Sequence, residues 1–363
     1  MSALDTRVLI AAGGTGGHVF PGLAVADALD ARGAHVAWLG TSTGLESRAV
    51  PTAGYALHTV RVSALRGKRR GTQLLAPFRI AWAVLSALAV LRRVRPTVVL
   101  CMGGFAAGPG ALAGWLMRCP VIVHEQNKSA GLTNRVAARF AARVLQAFPN
   151  TFGPERDAET VGNPVRDDVL ALPAPDERWR ERTGAIRLLV LGGSGGALAL
   201  NERLPKAVAA LPAGQQPIVW HQAGRTRAAA DDAYAQAGID AEVVAFIDDM
   251  AAAYAWADVV VCRAGALTVA ELAAAGVGAL MIPYPFAADR HQHANAAYLV
   301  EAGAARMLDQ AEADVERLTA ELDQLCDDRA ALLERANAAR RCRWPNAATT
   351  IADHVVAAAG GQS

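Results

Sequence analysis

Six residues near the amino terminus, Gly13-Gly14-Thr15-Gly16-Gly17-His18, join bare backbone to one titratable ring. Glycines let backbone N–H groups approach an anion or a sugar closely. A histidine at the end of such a loop and the start of a helix meets the positive end of the dipole. That field disfavours imidazolium and keeps the ring neutral near pH 7. A neutral imidazole can take a proton from a hydroxyl, an assistance typically worth about 10²–10⁴ in rate. The loop returns without its histidine as GGSGGA at 192–197. Both loops are plausible cradles for a phosphate or a sugar diphosphate.

Other residues could share the chemistry. Glu125 and His124, in HEQN, follow a strand-like run and compete with His18 as proton acceptor. Glu271 follows the turn glycine of CRAGALTVAE, early in a helix. There a carboxylate can accept from a ribose diol while the first amides meet phosphate. A carboxylate favoured only by the dipole is the plain alternative for Glu271. For His18 the plain alternative is that it only binds acceptor or buttresses the loop.

Better-known motifs fail. The dinucleotide fingerprint would need glycine at Val19 or Leu198, and no glycine stretch carries G-K-[ST]. Gly192–Gly196 matches the G-x-S-x-G elbow around Ser194, with Asp258 and His291 following in triad order. Against a hydrolase, the first loop carries Thr15 at the matching place and no oxyanion segment is evident. There is no H-E-x-x-H, D-x-D or Cys/His cluster, which leaves His291 and His293 as a poor metal pair.

The elements that position these residues alternate. RVLIAA, HVAWLG, ALHTVRV, TVVLCMGG, VIVHEQ and ARVLQAF read as strands separated by helical patterns. RLLVLGG, PIVWHQAG, EVVAFI, DVVVCRAG, ALMIPYP and ARML form a second series. Such alternation predicts βαβ crossovers and an α/β fold of two Rossmann-like domains, with parallel sheets facing across a cleft. The Pro- and charge-rich 162–184 reads as a linker. The expected division is 1–163, 164–343 and a carboxyl-terminal helix within 344–363 that packs back on the first domain.

Residues 1–163 carry 18 Lys and Arg against 8 Asp and Glu, and the remainder 18 against 26. No acidic residue lies between Glu46 and Glu125. In that gap, 65–95 is an apolar helix-length stretch with arginines at both ends. It suits an anionic membrane surface better than a bilayer span. A buried helix with solvated basic ends is the alternative. Five scattered cysteines and the lack of a basic, apolar leader suggest a reducing, cytoplasmic setting.

GGTGGHVFPGLAVA, MGGFAAGPGA, HEQN, VGNPVR, GGSGGA, CRAGALTVAE and DRHQHANA occur in order along the chain. This series closely resembles one family, the bacterial peptidoglycan glycosyltransferases that add N-acetylglucosamine to undecaprenyl-diphospho-N-acetylmuramoyl-pentapeptide. The resemblance implies a GT-B fold, inverting transfer from UDP-N-acetylglucosamine, and no cofactor or chelated metal. It implies an acceptor- and membrane-binding first domain and a donor-binding second one. On the donor side it carries over Thr15, Gly16 and Gly17 near the transferred sugar, and Asn127 and Gln292 at sugar hydroxyls. Arg166 and the Ile247 backbone fall at uridine, and Ser194 at a phosphate. Ala266, Leu267, Thr268, Val269 and Ala270 start a helix toward the diphosphate, with Glu271 at the ribose. For that reaction the loop reading above makes His18 the base, with Glu125 and then His124 competing. The implied place is the cytoplasmic face of the bacterial inner membrane, among other cell-wall synthesis proteins and away from nucleic acid. A UDP-N-acetylglucosamine 2-epimerase of the same architecture and a non-catalytic nucleotide-sugar scaffold are the competing readings.

Three positions depart from the family pattern. Phe105 stands where a tyrosine is common, Gly195 replaces a glutamine, and His291 replaces the first of two glutamines.

Overall fold

The structure is a computed structural model that describes residues 6–60, 76–193, 195–287 and 290–361. The chain forms two compact units, one made of residues up to Val165 together with those from Asn346 onward, the other of Arg166–Pro345. Each division falls two residues beyond the expected limit.

In the first unit, β1 (Arg7–Ala12), β2 (His35–Gly40), β3 (Ala56–Thr59), β4 (Val98–Gly103), β5 (Val121–Glu125), β6 (Arg143–Gln146) and β7 (Glu159–Thr160) make one sheet. Its order is β3-β2-β1-β4-β5-β6-β7, and every pair is parallel. The helices are α1 (Gly16–Asp30), α2 (Glu46–Thr52), α3 (Ala76–Val94), α4 (Ala107–Leu116) and α5 (Leu132–Ala137). Strands covered on both faces read as continuous apolar runs, and β1 shows the division of labour. Val8, Ile10 and Ala12 join a core with Val19, Val25 and Leu29 of α1, whereas Leu9 and Ala11 join one with Ala87 and Leu91 of α3. Each fully buried Val, Leu or Ile contributes roughly 1.5–3 kcal/mol.

The second unit contains α6 (Asp167–Leu170), α7 (Pro175–Trp179), β8 (Arg187–Leu191), α8 (Leu198–Ala209), β9 (Ile218–Gln222), α9 (Arg227–Ala237), β10 (Ala241–Val244), α10 (Met250–Trp256), β11 (Val259–Cys262), α11 (Ala266–Ala275), β12 (Gly278–Met281), α12 (His291–Glu301), β13 (Ala305–Met307), α13 (Val315–Cys326) and α14 (Arg329–Arg341). Its sheet is again wholly parallel, ordered β10-β9-β8-β11-β12-β13. The last helix, α15 (Ala347–Gly360), returns to the first unit. Ile351 and Val355 enter the core beneath α1, and Asp353 pairs with Arg32 at 2.8 Å.

Two features differ from the sequence reading. The segment 162–184 is no loose linker. Trp179 is buried in the second core, Arg178 donates to the Gly276 carbonyl at 2.6 Å, and Arg182 pairs with buried Asp258. Its prolines and charges mark helix starts and tethers. Strand β7 is absent from the sequence reading because two residues of ladder carry no periodicity.

In both sheets the strand order reverses beside the first strand, between β1 and β4 and between β8 and β11. Ligands of open parallel sheets bind at the carboxyl ends of the strands at such points. The two glycine loops lie there.

Candidate active site

In the first unit, the turn after β1 runs through Gly13 and Gly14, the latter at φ +95°. The turn after β4 places Gly103 at +98° and Gly104 at +87°. The two turns touch backbone to backbone, since a Cβ on Gly104 would overlap the Gly13 carbonyl. Thr15 is the N-cap of α1, and Gly16 and Gly17 are its first helical residues. Threonine caps usually accept from a backbone amide. Here Thr15 Oγ1 meets Nδ1 of His18 instead, at 3.2 Å. With Nδ1–H donating to that hydroxyl, Nε2 is the basic nitrogen. Its edge faces Gly103, where an added Cβ would stand 3.1 Å from Nε2. Glycine there lets the backbone come up to the ring without a side chain between them.

Glu125 is buried with four donors around it. Oε1 accepts from the Asn127 amide at 2.9 Å and Asn127 Nδ2 at 3.1 Å, and Oε2 from the Gly131 amide at 3.1 Å and Asn134 Nδ2 at 2.9 Å. Such saturation suits a carboxylate that organises the turn 125–134 rather than one that meets a substrate proton. His124 is fully buried, with Nε2 donating to Gly162 O at 2.9 Å and Nδ1 accepting from Gln126 Nε2 at 3.0 Å. Burial pushes its pKa down to about 4. Of the three candidates, Glu125 and His124 are thus held by bonds within their own turn, whereas His18 is held by Thr15.

Two residues without a motif prove central here. Asn134, buried on α5, ties Glu125 to the His124 carbonyl and accepts from Cys101. Glu46, the first residue of α2, accepts from the Gly14 amide at 2.9 Å and from Thr41. Burial alone would raise its pKa, but the Thr41 hydroxyl and the amides of Gly14, Glu46 and Thr41 hold it below the usual carboxylate value. One amide of the first loop is therefore committed to a carboxylate, contrary to its expected use as an anion cradle.

In the second unit, Ser194 lies outside the described residues. Gly193 and Gly196 adopt φ of +75° and +78°. Gln222, at the end of β9, sets this loop: Oε1 accepts from the Gly193 amide at 2.9 Å, and Nε2 donates to the carbonyls of Gly193 and Ala245. Arg225 reaches the same loop, its Nη2 4.0 Å from where a Gly195 Cβ would stand. Asp258 precedes β11, whereas the loop follows β8, and these strands pair in parallel from Val259↔Leu188 to Cys262↔Leu191. A strand length of about 13 Å separates Asp258 from the loop, which removes the hydrolase triad.

Helix α11 starts after Gly265, an N-cap in extended conformation without a side-chain cap. Its first amides, from Ala266 to Thr268, have no acceptor within the helix. The Val269 amide already bonds to the Gly265 carbonyl at 2.9 Å, and the Val269 side chain is core. Val269 is thereby tied into the helix, and Ala270 follows it on the same first turns. Glu271 lies on the second turn, buried, and accepts from the Tyr254 hydroxyl at 3.0 Å. Burial raises its pKa to about 7, against the Arg166 charge and the Tyr254 hydrogen bond, which lower it. Tyr254 carries no motif and is a partner the sequence conceals.

Arg166 caps α6, and Ile247 is buried in the turn after β10. Gln292, second in α12, accepts from the Tyr284 amide at 2.8 Å through Oε1. His293 Nε2 is turned to Asp309 Oδ1 at 2.9 Å. Among the described residues no group of three His, Cys, Asp or Glu could hold a metal ion.

Two profiles match the chain. The glycosyltransferase family 28 N-terminal domain covers residues 8–146 and the family 28 C-terminal domain covers 187–354. The chain belongs to glycosyltransferase family 28. Among curated relatives, the UDP-N-acetylglucosamine–N-acetylmuramyl-(pentapeptide) pyrophosphoryl-undecaprenol N-acetylglucosamine transferase of Nitrosococcus oceani is 52% identical, over 98% of this chain and 99% of that protein. The protein of the same name from Alkalilimnicola ehrlichii is 54% identical, over 95% and 97%. The crystal structure of Acinetobacter baumannii MurG superposes with a TM-score of 0.83 at 39% identity, over 96% of this chain and 99% of that one. This glycosyltransferase therefore has the expected GT-B fold. The epimerase and scaffold readings are not favoured beside relatives that are transferases by name.

Proposed function

We propose that this enzyme moves N-acetylglucosamine from UDP-N-acetylglucosamine to the C4 hydroxyl of the muramoyl sugar in undecaprenyl-diphospho-MurNAc-pentapeptide. The observation that carries the reading is His18: a ring oriented by Thr15, with its Nε2 edge over a side-chain-free glycine at the switch of the first sheet. The acceptor oxygen forms a bond to the anomeric carbon as the bond from that carbon to the diphosphate breaks. The hydroxyl proton passes to His18 Nε2, the electron pair leaves with UDP, and the anomeric centre inverts.

The second unit lowers the cost of the departing charge. The uncapped first turn of α11 presents Ala266, Leu267 and Thr268 amides to the diphosphate, and Arg225 adds a cation beside Gly195. Glu271 accepts from the ribose hydroxyls, Arg166 and the Ile247 backbone hold uridine, and Gln292 donates to the sugar. Ser194 keeps its proposed place at a phosphate. Asn127, drawn to Glu125, shapes the turn next to the sugar contacts at Thr15, Gly16 and Gly17.

No helix among the described residues is long and apolar enough to cross a membrane. Helix α3 buries Ala83, Ala87 and Leu91 but leaves Phe78 74% and Trp82 62% exposed, with Ile80 and Leu85 beside them. Arg92 and Arg93 close its last turn. Arg69 and Arg70, the other basic end, lie outside the described residues. We assign this face to an anionic membrane surface, at the cytoplasmic side of the inner membrane where the lipid-linked acceptor is presented. Other cell-wall synthesis proteins are the partners this location proposes.

The test is transfer of radiolabelled N-acetylglucosamine from UDP to the lipid-linked acceptor, with and without EDTA. Label in the lipid fraction under both conditions is the expected result. Label that stays on UDP while donor still binds would overturn the reading.

A further inference from the structure

Glu46 takes no part in the chemistry above, yet three glycines are shaped around it. The side chain is fully buried. Oε1 accepts from the Thr41 amide at 2.9 Å and Thr41 Oγ1 at 2.6 Å, and Oε2 accepts from the Gly14 amide at 2.9 Å. A Cβ on Gly13 would stand 2.5 Å from Oε1 and one on Gly40 2.6 Å from Cγ, while one on Gly44 would overlap Oε2. A carboxylate buried this closely holds its donors in place, because each lost bond leaves a charged acceptor unsatisfied. The turn after β1 carries no side chain at Gly13 or Gly14; Trp38 Nε1 holds the Ala12 carbonyl before it at 2.8 Å, Gly104 packs on Gly13, and Glu46 holds the Gly14 amide itself.

We propose that Glu46 is a positioning residue for the acceptor side of the reaction, holding the Gly14 amide and so fixing the turn that delivers Thr15 and His18. The proposal rests on the reading of His18 as base. Gly14, at φ +95°, leads directly into the Thr15 cap, whose hydroxyl orients the ring. A rotation at Gly14 therefore moves the base, and misplacement of a reacting group by about 1 Å can cost roughly 100-fold in rate.

The experiment uses Glu46→Gln in the full chain. The side chain keeps its length, but one oxygen becomes an NH2 group that meets a backbone N–H donor. Thr41→Val, which removes the hydroxyl that donates to Glu46 and accepts from the Gly44 amide but keeps the carboxylate and its bond to Gly14, serves as a milder second variant should Glu46→Gln fold poorly. Val50→Ala, a core change on the same helix, supplies a control for lost stability. For Glu46→Gln we expect kcat to fall roughly 10- to 100-fold with KM for UDP-N-acetylglucosamine unchanged. The Gly14 amide and His18 ring NMR signals should move, Thr41→Val should change both readouts less and in the same sense, and Val50→Ala should leave kcat of the folded protein alone. Unmoved Gly14 and His18 signals would overturn the proposal, as would a fall in kcat no greater than that of Val50→Ala. If the signals move and kcat does not, positioning is again refuted. A His18→Ala variant that still turns over then locates the error in the base, and an inactive one locates it in Glu46 alone.

Discussion

The two glycine loops occupy the same point in their sheets, after the first strand and beside the switch, but opposite chemistry holds them. Beneath the first, the Glu46 carboxylate accepts from the Gly14 amide. Beneath the second, the neutral Gln222 amide accepts from Gly193 and donates back to its carbonyl. A buried negative charge under the first loop opposes an anion there. A neutral anchor under the second adds no such repulsion, and Arg225 stands at its rim. On the proposed reading, near-identical loop sequences divide into a base-bearing turn and a diphosphate-bearing one through residues that lie outside the loops.

The comparison can be broken most severely at Gly104. Alanine there would overlap the Gly13 carbonyl at a φ of +87°. We expect a loss of about 3 kcal/mol from the first unit, seen by urea unfolding, with transfer abolished and donor binding kept. Gln222→Glu gives the second loop the first loop's chemistry. It removes two donated hydrogen bonds and adds charge below the diphosphate, so the Kd for UDP-N-acetylglucosamine should rise roughly thirtyfold, about 2 kcal/mol, by titration calorimetry.

Glu271 sharpens the contrast through pH. Its folded pKa of about 7 lies above the ordinary 4.5. The native state therefore holds an extra proton between those values, and the second unit loses stability as pH rises across that window. Donor binding should run the other way, tightening as pH rises through about 7 because the carboxylate is the better acceptor for ribose hydroxyls. Glu271→Gln should flatten both trends, in thermal melts and in KM against pH. The smallest effect belongs to Arg225→Ala, which should raise KM for donor about threefold to tenfold and lessen its dependence on salt.

Much of this arrangement was legible in the chain. Ten strand-like runs beyond β1 and β8 were visible because parallel strands buried on both faces are unbroken apolar runs. The loops and the start of α11 were marked by glycines that the turns require. The anchors were not. Glu46 and Gln222 carry no spacing signal, because what they hold is backbone distant in sequence, and Tyr254 looks like any other core tyrosine. The four donors around Glu125 were hidden for a related reason, since a strand-end carboxylate in a motif looks the same whether it meets substrate or its own loop. The segment 162–184 misled by composition, its prolines and charges resembling a linker while Trp179 and Arg182 fasten it to the second core.

The division of labour is tested most directly by His18→Ala, with transfer to the lipid-linked acceptor followed across pH and donor affinity measured in the same preparation. Donor affinity should match that of the parent protein, while kcat falls by about 10²–10⁴ and the acidic limb of its pH profile disappears. Near-normal turnover with an unchanged pH profile would contradict the account and return the first loop to a purely binding role.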